Sequence, residues 1–95
     1  MAAYLIADVQ VHDPETFSTY SPGVAATLEP YGGRFLARGG AAETVEGDFE
    51  PHRVVVIEFP DMDALKSWHE SDAYQAIIGI RHRSATTSVI AVQGV

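Results

Sequence analysis

The segment RVVVIEF, Arg53–Phe59, decides the fold because it reads as a β-strand with two apolar faces. An antiparallel sheet with one face in water alternates apolar and polar residues along each strand. Here the apolar run at positions 54–57 places apolar side chains on both faces. Both faces of the predicted sheet therefore need a cover.

Strands and helices alternate on either side of this segment. Periodicity, caps and breakers predict strands over Ala3–Val11, Arg34–Arg38 and Thr86–Gln93, and helices over Asp61–His69 and, after a Ser71 cap, Asp72 to about His82. A further helical region starts at Asp13-Pro14, with Asp13 as its cap, and ends before Pro30 and Gly32-Gly33. The order β-α-β-β-α-β is that of the ferredoxin-like plan, in which helices cover one face of a four-stranded antiparallel sheet. The sequence thus predicts an α+β fold in one domain, residues 1–95.

Proline and glycine positions refine these elements. Pro22 interrupts the first helical stripe and predicts two helical pieces, with Ser21 capping the second. The pair Gly39-Gly40 predicts a bulge or bend after the second strand, and Ala41–Val45 is a candidate continuation of that strand.

Composition and charge exclude several classes of function. The chain has no cysteine, which excludes disulfides, zinc–thiolate sites, iron–sulfur clusters and thiol catalysis. Its net charge of −7 makes a nucleic acid a poor partner. No apolar run is long enough to span a membrane and no signal peptide is visible, so we expect a cytoplasmic protein.

The small size and the two-sided strand together predict self-association. A 95-residue chain without disulfides has a small core and needs another source of stability. The helices cover only one sheet face, and a second copy of the sheet is the simplest cover for the other. We therefore expect a homodimer packed through its sheet faces.

Three stretches carry a resemblance to a known family. YGGRFLARGG (Tyr31–Gly40), RVVVIEFP (Arg53–Pro60) and SDAYQAIIGIRHRSAT (Ser71–Thr86) resemble the domain of unknown function family number 1330 over nearly the whole chain. The resemblance implies membership of the dimeric α+β barrel superfamily, in which two ferredoxin-like units pair their sheets. That superfamily includes cofactor-free monooxygenases, muconolactone isomerases, polyketide cyclases, haem-degrading enzymes and stress-induced proteins.

The resemblance also implies a ligand pocket between sheet and helices, but it assigns no reaction, because fold does not determine function. Ser71, Tyr74 and Arg81 match a pattern that recurs in the family. Arg81 shares a helix side with Tyr74, and its guanidinium could bind a carboxylate or an enolate. The alternative is a surface arginine that covers apolar residues or pairs with a nearby acid.

Further candidates lie on other elements. Arg38 and Glu58 fall on neighbouring strands and could face each other, with Glu58 as a catalytic base, or form only a structural ion pair. Tyr20 and Trp68 could line the pocket or simply belong to the core. Asp8 interrupts an apolar strand, so it faces either a pocket or water.

No metal or cofactor site is predicted. The four histidines, His12, His52, His69 and His82, show no metal-ligand spacing, and no phosphate-binding glycine motif is present. A haem site at Trp68-His69 lacks the pattern of the haem-degrading relatives.

Two hypotheses of different class follow. The first is a small-molecule enzyme, such as a cofactor-free oxygenase, isomerase or cyclase, in which Arg81, Tyr74, Arg38 and Glu58 hold and polarise a ligand. It predicts a pocket where these polar groups converge. The second is a non-catalytic homodimer that binds a ligand or acts in stress. It predicts that the same groups pair with one another and leave space for only a few water molecules.

Overall fold

Four antiparallel strands form the sheet of this computed structural model, which describes residues 1–95. The strand order is β2-β3-β1-β4. The elements are β1 (Ala3–Val11), α1 (Pro14–Leu28), a 3-10 turn (Glu29–Tyr31), β2 (Arg34–Arg38), β3 (Arg53–Phe59), α2 (Met62–His69), α3 (Asp72–Ser84) and β4 (Ala85–Gln93). The predicted ferredoxin-like α+β fold is confirmed.

Local signals place the helix ends. Asp13 caps α1 by accepting a hydrogen bond from the Thr16 amide, Asp61 caps α2 and Ser71 caps α3. These side chains satisfy amides that have no partner within the helix. The caps at Asp13 and Ser71 agree with the sequence; Asp61, predicted as the first helical residue, is the cap of α2, and α3 extends to Ser84, beyond the predicted end.

The core lies between the helices and one face of the sheet, here called the helix face. Alternate residues of β1, Ala3 to Val9, are all buried there, and the α1 stripe from Phe17 to Leu28 packs over them. Helices α1 and α3 pack against each other, and α2 contacts β1, β3 and β4.

The opposite face of the sheet, here called the open face, has no helix. Cross-strand pairing puts Tyr4 and Ile6 of β1 beside Val56 and Val92 of its two neighbours. Ile90 and Val92 are 60% and 43% exposed in the protomer. The strand that decides the fold is therefore apolar on a face that this chain does not cover.

The prediction of two helical pieces around Pro22 is wrong, because α1 runs unbroken through the proline. A proline inside a helix removes one hydrogen bond and strains the preceding turn. Here buried residues on both sides, from Phe17 to Leu28, anchor the helix to the sheet. Arg38 also donates to the carbonyl oxygen of Ser21 at 2.6 Å, in the turn that the proline weakens.

The irregularity of β2 lies earlier than predicted. The register shifts between Phe35 and Ala37, so the bulge is at Leu36 and not at Gly39-Gly40. Gly39 has φ of 73°, a left-handed conformation that glycine adopts without steric cost, and it ends the pairing. Residues 41–45 form no strand, which corrects the candidate continuation of β2.

This shift also corrects the predicted pairing of Arg38 with Glu58. Glu58 lies opposite Arg34, whose Nε donates to Glu58 Oε1 at 2.7 Å on the open face. Arg38 lies opposite Val55 on the helix face. A single bulged residue therefore sends the two predicted partners to opposite faces of the sheet.

Candidate functional site

A cavity of about 50 Å³, here called the inner cavity, lies between the helix face and the helices. All four strands and all three α-helices contribute residues to its wall, which is mostly apolar. Its polar side chains include Tyr20, Arg38, Arg53, His69, Tyr74 and Arg81. All five residues predicted to bind a ligand thus line one cavity: Tyr20, Trp68, Tyr74 and Arg81 on the helices, and Arg38 on β2.

Two tyrosine hydroxyls meet at this site. The hydroxyl oxygens of Tyr20 on α1 and Tyr74 on α3 lie 2.7 Å apart in a buried hydrogen bond. Burial raises the pKa of Tyr20 well above its ordinary value, Tyr74 raises it further, and Arg81 and Arg38 oppose the shift. Tyr20 therefore stays protonated at neutral pH and acts as a hydrogen-bonding group rather than a base.

Arg81 is the least satisfied polar residue of the site. Its side chain lies on α3 and the residue is only 9% exposed. Its NH2 group donates to Nε2 of His82 at 3.3 Å, whereas its Nε is buried without any hydrogen-bond partner. The ion pairs of the chain involve other residues, so no carboxylate of the protein neutralises this guanidinium.

Arg38 reaches the site from the other side. Its guanidinium stacks over the Phe35 ring at 4.2 Å and donates to the Ser21 carbonyl. These contacts hold it against α1, one residue away from Tyr20. The site thus combines two cations with two hydroxyl groups inside an apolar wall, an arrangement suited to a small anion.

Aromatic rings form the far wall. Trp68 is buried, its ring centroid lies 4.1 Å from that of Tyr74, and its Nε1 donates to Thr27 Oγ1 at 3.0 Å. The His69 ring lies 5.7 Å from the Tyr74 ring. The sequence assigned His69 to a helix end and missed its place in the wall; its position next to Trp68 was the available signal.

Two predicted residues lie away from the cavity. Glu58 is on the open face with Arg34, so the structure does not bring it to Arg81. Asp8 also faces the open side and accepts hydrogen bonds from the His52 backbone at 2.7 Å and the His52 ring at 2.8 Å. These bonds lower the pKa of Asp8. No three His, Asp or Glu side chains cluster as metal ligands would.

The sequence matches the family described as "Domain of unknown function (DUF1330)" over residues 2–95. The chain belongs to this family. The family resemblance seen in the sequence is confirmed, and with it the ferredoxin-like fold of the DUF1330 chain. None of the curated proteins matches the sequence.

Solved structures share the fold at low sequence identity. A protein of unknown function from Rhodopseudomonas palustris superposes with a TM-score of 0.78 at 16% identity, covering 99% of this DUF1330 chain and 82% of that one. SnoaB, a cofactor-independent oxygenase from Streptomyces nogalater, gives 0.68 at 14% identity, with 99% and 93% covered. A dimeric ferredoxin-like protein of unknown function from Jannaschia sp. CCS1 gives 0.67 at 14% identity, with 99% and 100% covered.

No helix of the DUF1330 chain is both long enough and apolar enough to cross a membrane.

Proposed function

We propose that this protein is a homodimer that binds a small organic anion, a carboxylate or an enolate, at Arg81 in the inner cavity. The observation that carries the proposal is the buried Nε of Arg81, which has no partner. An unpaired charge inside a protein costs several kcal/mol, of the order estimated for one removed partner of a buried ion pair. A bound anion supplies the missing partner and offsets that cost.

Geometry supports Arg81, Tyr20 and Tyr74 as ligand-binding residues, with Arg38 as a second cation. The forked guanidinium of Arg81 can donate two parallel hydrogen bonds to a carboxylate or one to an enolate oxygen. The apolar wall formed by Trp68 and its neighbours excludes water and strengthens these bonds. Such a site favours an acid with apolar groups over a neutral sugar.

A reaction of the cofactor-free oxygenase, isomerase or cyclase type is consistent with this site. Groups that hold an oxyanion stabilise the enolate that such reactions form. The fold shared with SnoaB, a cofactor-independent oxygenase, adds support for this class. Glu58 is not part of the proposed site, because a catalytic base must reach the proton that it removes.

The alternative is a non-catalytic ligand-binding or stress-associated homodimer. The small inner cavity favours it, since about 50 Å³ holds only a few water molecules. The pairing of Tyr20 with Tyr74 favours it too, because these hydroxyls satisfy each other without a ligand. Arg81 favours the first hypothesis, because no group in the chain accepts a hydrogen bond from its buried Nε and no carboxylate neutralises its charge.

The homodimer is proposed to form through the open face. Its support is the apolar surface around Ile6, Val56 and Ile90, which a monomer would leave in water. The similar protein from Jannaschia is described as dimeric and ferredoxin-like. A cytoplasmic location remains a prediction from the sequence.

A thermal-shift screen tests the anion site with small aromatic acids, quinones, lactones and haem as probes. A ligand at 100 times its dissociation constant adds roughly 2.7 kcal/mol, on the order of 10 °C in melting temperature for a domain of this size. We expect an aromatic acid to stabilise the wild type and to have no effect on Arg81→Met. The variant itself should melt no lower than the wild type, because an apolar side chain relieves the buried charge.

The matched control is Arg83→Met, which removes an exposed arginine from the same helix. It should keep the full thermal shift. Equal shifts in the two variants, or no shift with any acid in the wild type, would contradict the anion site. If Arg81→Met unfolds the protein, the arginine is structural and the assignment is wrong.

A further inference from the structure

A second cavity, here called the outer groove, adjoins the inner cavity between α2 and β4. It has a volume of about 190 Å³ and is more open to solvent. Leu5, His69 and Val89 line both spaces, so these three residues form the junction between them. The outer groove lies beside β4, at the edge of the sheet.

Size makes this junction important. The inner cavity, at about 50 Å³, has room for only a few water molecules and not for the body of an organic ligand. A compound that places its anionic group at Arg81 must therefore continue into adjoining space. The outer groove is nearly four times larger and shares three wall residues with the inner cavity.

The two spaces differ in chemistry. The inner cavity is lined by three arginines, Arg38, Arg53 and Arg81, and by no carboxylate. The floor of the outer groove is the buried Leu65, and its rim has one cation, Lys66, and one anion, Glu70. A rim with both signs of charge favours a neutral occupant over an ionic one, and the floor favours an apolar one.

The junction has one firmly held wall. The His69 ring lies 6.2 Å from the Trp68 ring and 5.7 Å from the Tyr74 ring, and both of these residues are buried. Val89 on the opposite side is 36% exposed and lies on β4, at the edge of the sheet. Val89 therefore limits the space at the junction, and a larger side chain at this position would narrow it.

We propose that the inner cavity and the outer groove form one elongated binding site for an amphipathic acid, whose anionic end lies at Arg81 and whose neutral, apolar body passes Val89 into the outer groove. This inference rests on the proposed function, because it uses Arg81 as the anion-binding residue. It goes further by defining the class of ligand as a long molecule with charge at one end.

Calorimetric titration of the whole protein with a homologous series tests the proposal. The probes are phenylacetate, 4-phenylbutyrate and 6-phenylhexanoate, with 6-phenylhexanamide as the uncharged analogue. Each methylene group that leaves water strengthens binding about fourfold. We expect the dissociation constant to fall at least 30-fold from the shortest to the longest acid, and the amide to bind far more weakly than its acid.

Variants of β4 locate the apolar end. Val89→Phe narrows the junction, and Ala91→Trp fills the outer groove without reaching the inner cavity. Ala91→Trp should weaken 6-phenylhexanoate at least 10-fold and leave phenylacetate, whose ring reaches no further than the junction, within threefold of its wild-type affinity. Val89→Phe should weaken 6-phenylhexanoate at least 10-fold as well, but Val89 lines the inner cavity too, so phenylacetate is compared only in Ala91→Trp. Gln93→Phe is the control, because it adds a ring on the same face of β4 outside both spaces.

The outcomes separate the two proposals. If the acids bind through Arg81 but with an affinity independent of length, the elongated site is wrong and the anion site stands. If no acid binds and Arg81→Met has no effect, the proposed function fails as well. A length dependence that survives both Val89→Phe and Ala91→Trp would place the apolar body elsewhere and overturn the inference.

Discussion

The two faces of the sheet lack different things: the helix face lacks a counter-ion, and the open face lacks an apolar cover. On the helix face nearly every apolar side chain is covered, but one buried cation, Arg81, has no counter-ion. On the open face the charges are matched, since Arg34 pairs with Glu58 and Asp8 pairs with His52. There it is the apolar side chains, such as Ile90, that lack a cover.

This difference indicates what each face binds. A surface that is short of apolar contact gains most from a second apolar surface, because burial stabilises in proportion to the area removed from water. A cavity that is short of a counter-ion gains most from an anion. The open face therefore suits another sheet, and the helix face suits a small acid.

The largest expected effect comes from a charge placed on the open face. Val56→Asp puts a carboxylate between Ile6 and Ala37, its neighbours on the adjacent strands. In the proposed homodimer that carboxylate would be buried without a partner, and we expect the dimer dissociation constant to rise at least about 100-fold, or about 2.7 kcal/mol. Sedimentation velocity over a range of concentrations measures the change.

Ala26→Asp, at an exposed position of α1, is the control and should leave the association unchanged. A Val56→Asp protein that dimerises as tightly as the wild type would show that the open face is not the interface.

An intermediate effect is expected on the helix face from the tyrosine pair. Tyr20→Phe leaves the buried Tyr74 hydroxyl without its partner, so the free energy of unfolding should fall by about 1–3 kcal/mol. The variant with both tyrosines changed to phenylalanine should lose less than the sum of the single changes, because no unpaired hydroxyl remains. Urea denaturation of the three variants measures this coupling, and strictly additive losses would mean that the hydroxyls do not depend on each other.

The smallest effect concerns the pH dependence of the open face. His52 lowers the pKa of Asp8, so folded Asp8 keeps its charge at a pH where the unfolded chain has taken up a proton. This contribution to stability is complete above the ordinary pKa of 3.8 and is lost as the pH falls through the lowered value. Asp8→Asn should therefore lose less stability than the wild type on acidification.

Melting temperatures between about pH 6 and about pH 2 measure this difference. In a His52→Ala background the difference that Asp8→Asn makes should shrink, because the ring hydrogen bond, the largest cause of the lowered pKa, is gone and only the backbone amide bond remains. If the melting temperatures of the wild type and of Asp8→Asn fall in parallel as the pH is lowered, the bonds from His52 to Asp8 do not contribute to the pH dependence of stability.

Periodicity and capping residues predicted most of the fold. The elements were predictable because Asp13, Asp61 and Ser71 mark helix starts and because the apolar stripes have the helical period. The same periodicity placed Tyr74 and Arg81 on one side of α3, and the family resemblance implied a pocket between helices and sheet; both residues line the inner cavity.

Two errors arose where tertiary structure overrides local preference. Pro22 is unfavourable within a helix, and only the contacts on both sides of it keep α1 continuous. The bulge at Leu36 carries no sequence mark, since neither glycine nor proline is present there. This one extra residue places Arg34, and not Arg38, opposite Glu58, and no local sequence pattern predicts that register.

The partner of Asp8 was equally hidden. His52 is far from it in sequence, and the two meet only because β1 and β3 pair in one register. The Nε of Arg81 has no hydrogen-bond acceptor nearby, and the sequence does not show this because the neighbours of Arg81 are set by the tertiary structure.

The chain has one tryptophan, and it stands in the wall of the inner cavity in contact with Tyr74. Trp68 is buried, and its indole is held by the hydrogen bond to Thr27, so its emission spectrum reflects this one environment. A ligand that enters the inner cavity would change the surroundings of this one indole and therefore its emission. The protein contains its own optical reporter of occupancy, and no dye or label is needed to follow a ligand as it enters.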